Sequence, residues 1–323
     1  MTEILIWHWL AFGALVVVLL AVDLLVFHRH AHAPSLAESA LWSVVWVSLA
    51  LAFNGFVWWW RGTEEGLQFL TSYLVEKSLS MDNVFVFAVI FRFFGVALKY
   101  QYHVLFWGIL GAIVMRLSFI LAGVELIRQF EWILCLFGIF LVYTAIKLAL
   151  PAKGGVAPER NLLLRLARRL FRVARHDHGP RFVVRENGRW CITPLLLVLL
   201  VVESTDVVFA VDSVPAIFGV TRLPFILFTS NIFAILGLRA LYFLLAVVME
   251  MFRYLHYGLS GVLGFVGLKM VAEYWIAHEE GGHLVSPAVS LAVIVSLLGA
   301  SIVASLIARR QPTQPLGSQE IVA

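Results

Sequence analysis

Two stretches of this chain place ionisable groups where an apolar surround makes them costly. Glu76-Lys-Ser-Leu-Ser-Met-Asp82-Asn83 and Glu203-Ser-Thr-Asp206-Val-Val-Phe-Ala-Val-Asp212 put five carboxylates inside long apolar segments. At mid-bilayer each charged side chain costs at least ~2.5–3.5 kcal/mol. Five together need a cation to hold or protons to carry, which implies an ion pathway. The carboxylates, the Asn83 amide and any freed backbone carbonyls form an oxygen-only donor set. That set suits Mg²⁺, Ca²⁺ or Mn²⁺ and disfavours Cu⁺ or a thiolate zinc site. Metal binding needs ionised acids, and an apolar surround disfavours uncompensated charge, so metal/proton exchange is the expected coupling. Arg116 and Arg239 are the expected charge partners, each able to neutralise one acid.

At about 100° per residue, Glu203 and Asp206 share a helix face while Asp212 lies roughly opposite Glu203. Pro215 removes a backbone donor opposite the carbonyl of Val211, so a bend or opening is expected around Asp212-Ser213. A matching break near Ser80–Asn83 follows only by symmetry. A purely structural reading stays open, in which Lys77, Arg116, Lys147, Arg239 and Lys269 tie the acids between helices. Lys147 and Lys269 fall near predicted helix ends, where they can instead snorkel to the interface. Asp23, near the end of the first apolar run, reads as an interfacial or packing residue. His28, His30 and His32 read as a polar turn, with metal capture the alternative, and His278 and His283 as part of a solvated loop, with a weak exit-side metal site beside Glu279 and Glu280 the alternative. The two cysteines, Cys135 and Cys191, lie in separate segments and offer neither a disulfide framework nor a soft-metal cluster.

The elements that must position these groups are membrane spans. The chain is 61% hydrophobic and 14% charged, against about 25% charged for a soluble domain. A spanning helix needs ~20 mostly apolar residues, and nine segments qualify: 4–27, 37–60, 67–91, 101–122, 131–150, 193–218, 224–248, 255–275 and 286–308. With the N-terminus outside, sixteen basic residues collect on one side, including the ten from Lys153 to Arg189, and only Arg61, Arg128 and Arg222 on the other. The positive-inside rule then sets the orientation as N-terminus outside and C-terminus cytoplasmic.

The predicted fold is an all-α polytopic membrane protein forming one transmembrane domain. Aligning Glu76 on Asp206 places Asp82 on Asp212, Met115-Arg116-Leu on Leu238-Arg239-Ala, and Lys147 on Lys269. This reads as an inverted three-plus-three helix repeat, residues 67–150 and 193–276, with a midplane site where the repeats meet. The extra spans are 4–27, 37–60 and 286–308. Between the repeats, 151–192 carries a basic amphipathic helix, with Arg165, Arg168, Arg169, Arg172 and Arg175 on one stripe and Leu163, Leu166, Leu170 and Val173 on much of the opposite face. That helix is expected on the anionic inner leaflet. A hairpin follows, signalled by Asn187-Gly188 between β-prone runs. No phosphate loop, nucleophile–base pair or dinucleotide fingerprint occurs. No catalysis, bound cofactor or nucleic-acid partner is expected.

Three motifs carry a resemblance. Glu76-Lys-Ser-Leu-Ser-Met-Asp82-Asn83-Val-Phe-Val, Asp206-Val-Val-Phe-Ala-Val-Asp212-Ser-Val-Pro-Ala-Ile-Phe and Thr229-Ser-Asn231-Ile-Phe-Ala-Ile-Leu-Gly-Leu-Arg239-Ala closely resemble the TerC family, and within it the Alx-like members. The family is grouped with LysE-type exporters. The resemblance implies manganese export, with Glu76, Asp82, Asn83, Glu203, Asp206 and Asp212 as metal-pathway residues. Glu203-Ser-Thr-Asp206 departs from the pattern of many members, which place a bulky aliphatic and then Ser between the acids. The alternative implied by the resemblance is a membrane factor, associated with the translocon or other membrane proteins, that assists assembly or metalation of secreted proteins. A tellurite-resistance phenotype belongs to the family name, but a site of five carboxylates repels oxyanions.

Overall fold

The computed structural model describes residues 4–27, 35–150, 162–174, 179–186, 188–248, 254–276 and 284–308. His28, His30, His32, Arg175, His278 and His283 lie outside them. The elements in chain order are α1 Ile6–Phe27, α2 Leu36–Arg61, α3 Thr63–Phe93, α4 Leu98–Gln129, α5 Ile133–Ala149, α6 Leu162–Leu170, β1 Val183–Glu186, β2 Arg189–Ile192, α7 Pro194–Phe218, α8 Pro224–Leu236, α9 Leu238–Val248, α10 Leu255–Ile276 and α11 Pro287–Ala308.

Local chemistry sets several boundaries. Ser35 caps α2 by accepting from the Glu38 amide at 3.2 Å, within a Ser-Leu-Ala-Glu sequence that has the spacing of a capping box. Thr193 caps α7 ahead of Pro194 and accepts from the Leu196 amide. Its hydroxyl also donates to the Arg181 carbonyl at 2.8 Å, which ties the hairpin to the start of α7. The hairpin strands pair antiparallel, Val183 opposite Ile192, and Gly188 supplies the positive φ of 77° between them. α6 turns Leu164 and Ala167 inward, while Leu166 and Leu170 are exposed.

Among the packing contacts of the bundle, two fix the placement of its outer helices. Phe12 of α1, Phe53 of α2, Phe69 of α3 and Phe233 of α8 form an aromatic cluster that fixes the first two helices on the core. α5 and α10 approach backbone to backbone. A Cβ on Gly138 would lie 2.8 Å from the Gly267 carbonyl oxygen, and one on Gly267 2.7 Å from that of Gly138. Small residues permit such close contact between helices in a membrane, where packing replaces the hydrophobic drive.

The expectation of nine spans is corrected. Among the described residues six helices are long and apolar enough to cross a membrane, or seven if α8 and α9 count as one bent span. The segment expected at 67–91 lies in α3, which is 31 residues long but carries Glu64, Glu65, Glu76, Lys77, Asp82 and Arg92. The segment at 131–150 yields only the 17 residues of α5. The segment at 224–248 breaks at Gly237 with a 43° bend.

The three-plus-three inverted repeat is likewise not found. α4 is an unbroken helix of 32 residues, whereas its expected counterpart is the broken α8–α9 pair. Matching charges among apolar helices produced a likeness in sequence that the architecture does not share. The break expected at Asp212-Ser213 is also absent, since α7 runs unbroken through Pro215 to Phe218. Pro215 lies only three residues from that end, and helix remains on both sides of the missing donor.

Candidate functional site

A polar stripe runs the length of α3. Glu65, Gln68, Ser72, Glu76, Ser80 and Asn83 recur every three or four residues, on one helix face, and all are buried. At one end, the Arg61 guanidinium donates to Glu65 at 2.7 Å and the Thr221 hydroxyl donates to Gln68 at 2.6 Å. Further along, Arg116 of α4 donates through Nη1 to Oε1 of Glu76, an ion pair with both side chains almost wholly excluded from solvent. The second oxygen, Oε2, is buried without a hydrogen-bond partner among the described residues.

α7 faces this stripe with a shorter one, in which Asp206 and Ser213 are buried on a common face. Arg116, Glu203 and Glu76 all lie within electrostatic reach of the Asp206 carboxylate. Glu203 is half-buried, and its carboxylate rests on the backbone of α4 at Gly111, where any Cβ would collide with it. Asp206 thus has Arg116, Glu76 and Glu203 as its charged neighbours. Asn83 lies on the Glu76 stripe seven positions further along α3, about 10 Å away by helical rise.

Asp82 and Asp212 stand apart. Each lies six residues from its motif partner, about 120° round the helix from it, and each is half-buried. Asp212 accepts from the Thr144 hydroxyl of α5 at 3.2 Å and lies within reach of Lys147. Asp82 has no hydrogen bond or ion pair among the described residues. No group of three or more His, Cys, Asp or Glu side chains among the described residues, Glu76, Glu203 and Asp206 included, is placed to hold a metal ion.

Other charged groups have specific partners. Arg239 of α9 forms a buried ion pair with Asp23 of α1, so Asp23 ties two helices inside the bundle. The Arg239 guanidinium also lies over the Tyr102 ring, 4.6 Å from its centroid. Lys77 donates to the Ala234 carbonyl at 3.3 Å, beside the α8–α9 break. Lys269, expected to snorkel, is buried and donates to the Gly219 carbonyl at 3.3 Å, just past α7. Each lysine supplies a donor and a positive charge to a helix C-terminus. Lys147 is exposed. A cavity of about 480 Å³ opens between the α4–α5 and α7–α8 turns, bounded by Ile127, Arg128, Glu131, Phe218 and Arg222. Arg222 and Glu131 face each other there at 3.8 Å.

Comparison with known proteins places the chain in a family. Residues 61–313 match the Integral membrane protein TerC family. The chain is 51% identical over 314 residues to the uncharacterized membrane protein STKORF319 of Myxococcus xanthus, covering 97% of this chain and 96% of that one. It is 44% identical over 320 residues to the putative membrane-bound redox modulator Alx of Salmonella typhi, covering 96% and 97% respectively. With the protein of that name from Escherichia coli K12 it shares 46% identity over 272 residues, 81% of this chain and 85% of the other. No solved structure matches. The chain belongs to the TerC family and is a multi-pass helical protein of the bacterial inner membrane.

Proposed function

We propose that this protein transports a divalent metal ion out of the cytoplasm, Mn²⁺ foremost, through the carboxylates of α3 and α7. The observation that carries this reading is the charge balance around Arg116. With Glu76, Glu203 and Asp206 all ionised, one guanidinium leaves the cluster doubly negative in the interior of the bundle. One divalent cation balances that deficit, and so do two protons, which favours exchange of metal for protons. The oxygen-only donors favour a hard ion, and the negative cluster disfavours oxyanions such as tellurite. Asp82, Asn83 and Asp212 are assigned to the approaches of the same pathway. The basic stretch around α6 favours the cytoplasmic side by the positive-inside rule, which orients export. The relatives' description as redox modulators has no dithiol counterpart here, where Cys135 and Cys191 are both free.

Proteoliposomes containing the purified protein, a Mn²⁺ gradient and a pH-sensitive dye test this directly. The expected result is Mn²⁺ flux with proton counter-movement of about two per metal, set by the charge deficit, and loss of flux in Asp206→Asn. Flux without proton movement removes the coupling, and absence of metal-dependent flux removes the transport reading.

A second reading, a membrane factor for assembly or metalation of secreted proteins, draws on one surface. Leu166, Leu170, Phe171 and Trp190 are exposed beside Arg165 and Arg169 on α6 and the hairpin. That mixture suits an anionic leaflet or a membrane-protein partner such as the translocon.

A further inference from the structure

Asn231 of α8 is completely buried, and neither its Oδ1 nor its Nδ2 has a hydrogen-bond partner among the described residues. Its neighbours solve the same problem locally. Thr229 and Ser230 donate to the Phe225 and Ile226 carbonyls, each at 2.7 Å. Leaving a buried polar group unsatisfied costs about 1–3 kcal/mol, and an amide has two such ends. Ser72 Oγ and Glu76 Oε2 share this condition on α3, which packs along α8, as does Ser213 Oγ on α7, which meets α8 at Leu227.

The helix registers bring Asn231 level with the Arg116 pair. Gln68 meets Thr221 and Lys77 meets Ala234, so α3 and α8 run in the same direction. α4 returns antiparallel to α3 after a short turn. Ile120 of α4, Val214 of α7 and Leu227 of α8 share one buried cluster. Arg116 lies one turn before Ile120, and Asn231 one turn after Leu227, which in antiparallel helices is the same step along the membrane normal. The corresponding step on α7 leads to Ala210, between Asp206 and Ser213 on the polar face.

We infer that Asn231 contributes a neutral oxygen ligand, through Oδ1, to a hard divalent cation held between Glu76 and Asp206, with Nδ2 donating to a carboxylate. This rests on the cation-transport reading of the same cluster. It accounts for two facts together: an amide buried level with the Glu76–Arg116 pair and without partners among the described residues, and acids that do not by themselves assemble into a three-ligand group among those residues. Hard cations are commonly held by carboxylates mixed with amide carbonyls.

The test is thermal melting of the full-length protein in lipid nanodiscs against increasing MnCl₂, for wild type, Asn231→Leu, Asn231→Asp and Asp206→Asn. A ligand that binds only the folded state raises the melting temperature with concentration. Without metal, Asn231→Leu should melt no lower than wild type, since it removes an unsatisfied amide. It should then need about 10- to 100-fold more Mn²⁺ for the same rise, and Asn231→Asp should restore the response by returning an oxygen to that position. If Asn231→Leu is not monodisperse, Asn231→Ala decides the same comparison. An unchanged Mn²⁺ dependence in the Asn231 variant, with Asp206→Asn impaired, overturns the ligand role alone. No Mn²⁺ response in wild type overturns both this inference and the cation reading beneath it.

Discussion

The Glu76–Arg116 pair is the most deeply buried charge pairing of the candidate site, and its energetics are asymmetric. Removing one partner leaves an uncompensated ion in an apolar interior, at about 3–5 kcal/mol, whereas replacing both with apolar side chains is often neutral. Arg116→Gln should therefore lower unfolding stability in detergent by about that amount, while Arg116→Leu with Glu76→Leu should recover most of it. A double variant as unstable as the single one would show that packing, not charge, sets the cost. Glu203 offers a cleaner functional probe, because its carboxylate occupies the space beside Gly111. Gly111→Val should displace it and abolish metal flux in proteoliposomes while the protein still assembles; retained flux would remove Glu203 from the pathway. The acids were legible in the sequence because charge inside apolar runs is conspicuous. Which of them meet was not, because a spacing of six turns Asp82 and Asp212 away from Glu76 and Asp206. Asn231 carries no charge, and its importance shows only once its burial and lack of partners are known.

Helix ends, rather than helix middles, decide how these elements join. Gly237 interrupts an otherwise continuous apolar segment, and the 43° bend there exposes the C-terminal carbonyls of α8 to Lys77. A Cβ at Gly237 would lie 3.0 Å from both the Lys77 ammonium and Trp46 Cβ, so the turn is closely filled. Lys77→Met keeps the apolar stem and loses the donor. It should cost about 1–3 kcal/mol, the penalty for an unsatisfied buried acceptor, measurable as a lower melting temperature, and no change would mean the carbonyl finds another donor. Proline was the more visible break signal in the sequence, yet α7 absorbs Pro215 without interruption. The glycine at the true break is indistinguishable in sequence from glycines that serve close packing, such as Gly138 and Gly267. Capping and turn signals depend on few neighbouring atoms, and Ser35 and Thr193 sit at their helix starts accordingly.

At the scale of the molecule, an apolar-window count registers greasy stretches but not their geometry. It missed that α3 is long yet polar along one buried face, that α5 is short, and that α8 and α9 diverge. The same bundle presents a basic, partly apolar surface on α6 and the hairpin, well separated in sequence from the acid motifs. Replacing Arg165, Arg168, Arg169 and Arg172 with Gln should leave metal flux nearly intact if transport is the function. Loss of secreted-protein assembly with flux retained would instead favour the docking role. The central claim, that the carboxylates around Arg116 form the route of a metal exporter, is tested most directly by cellular manganese content. The measurement is elemental analysis of a strain lacking its own exporters, under manganese load, expressing wild type or Glu203→Gln/Asp206→Asn at matched membrane levels. Wild type should lower manganese several-fold while the double variant leaves it at the level of the empty strain. Equal manganese in all three strains would contradict the account.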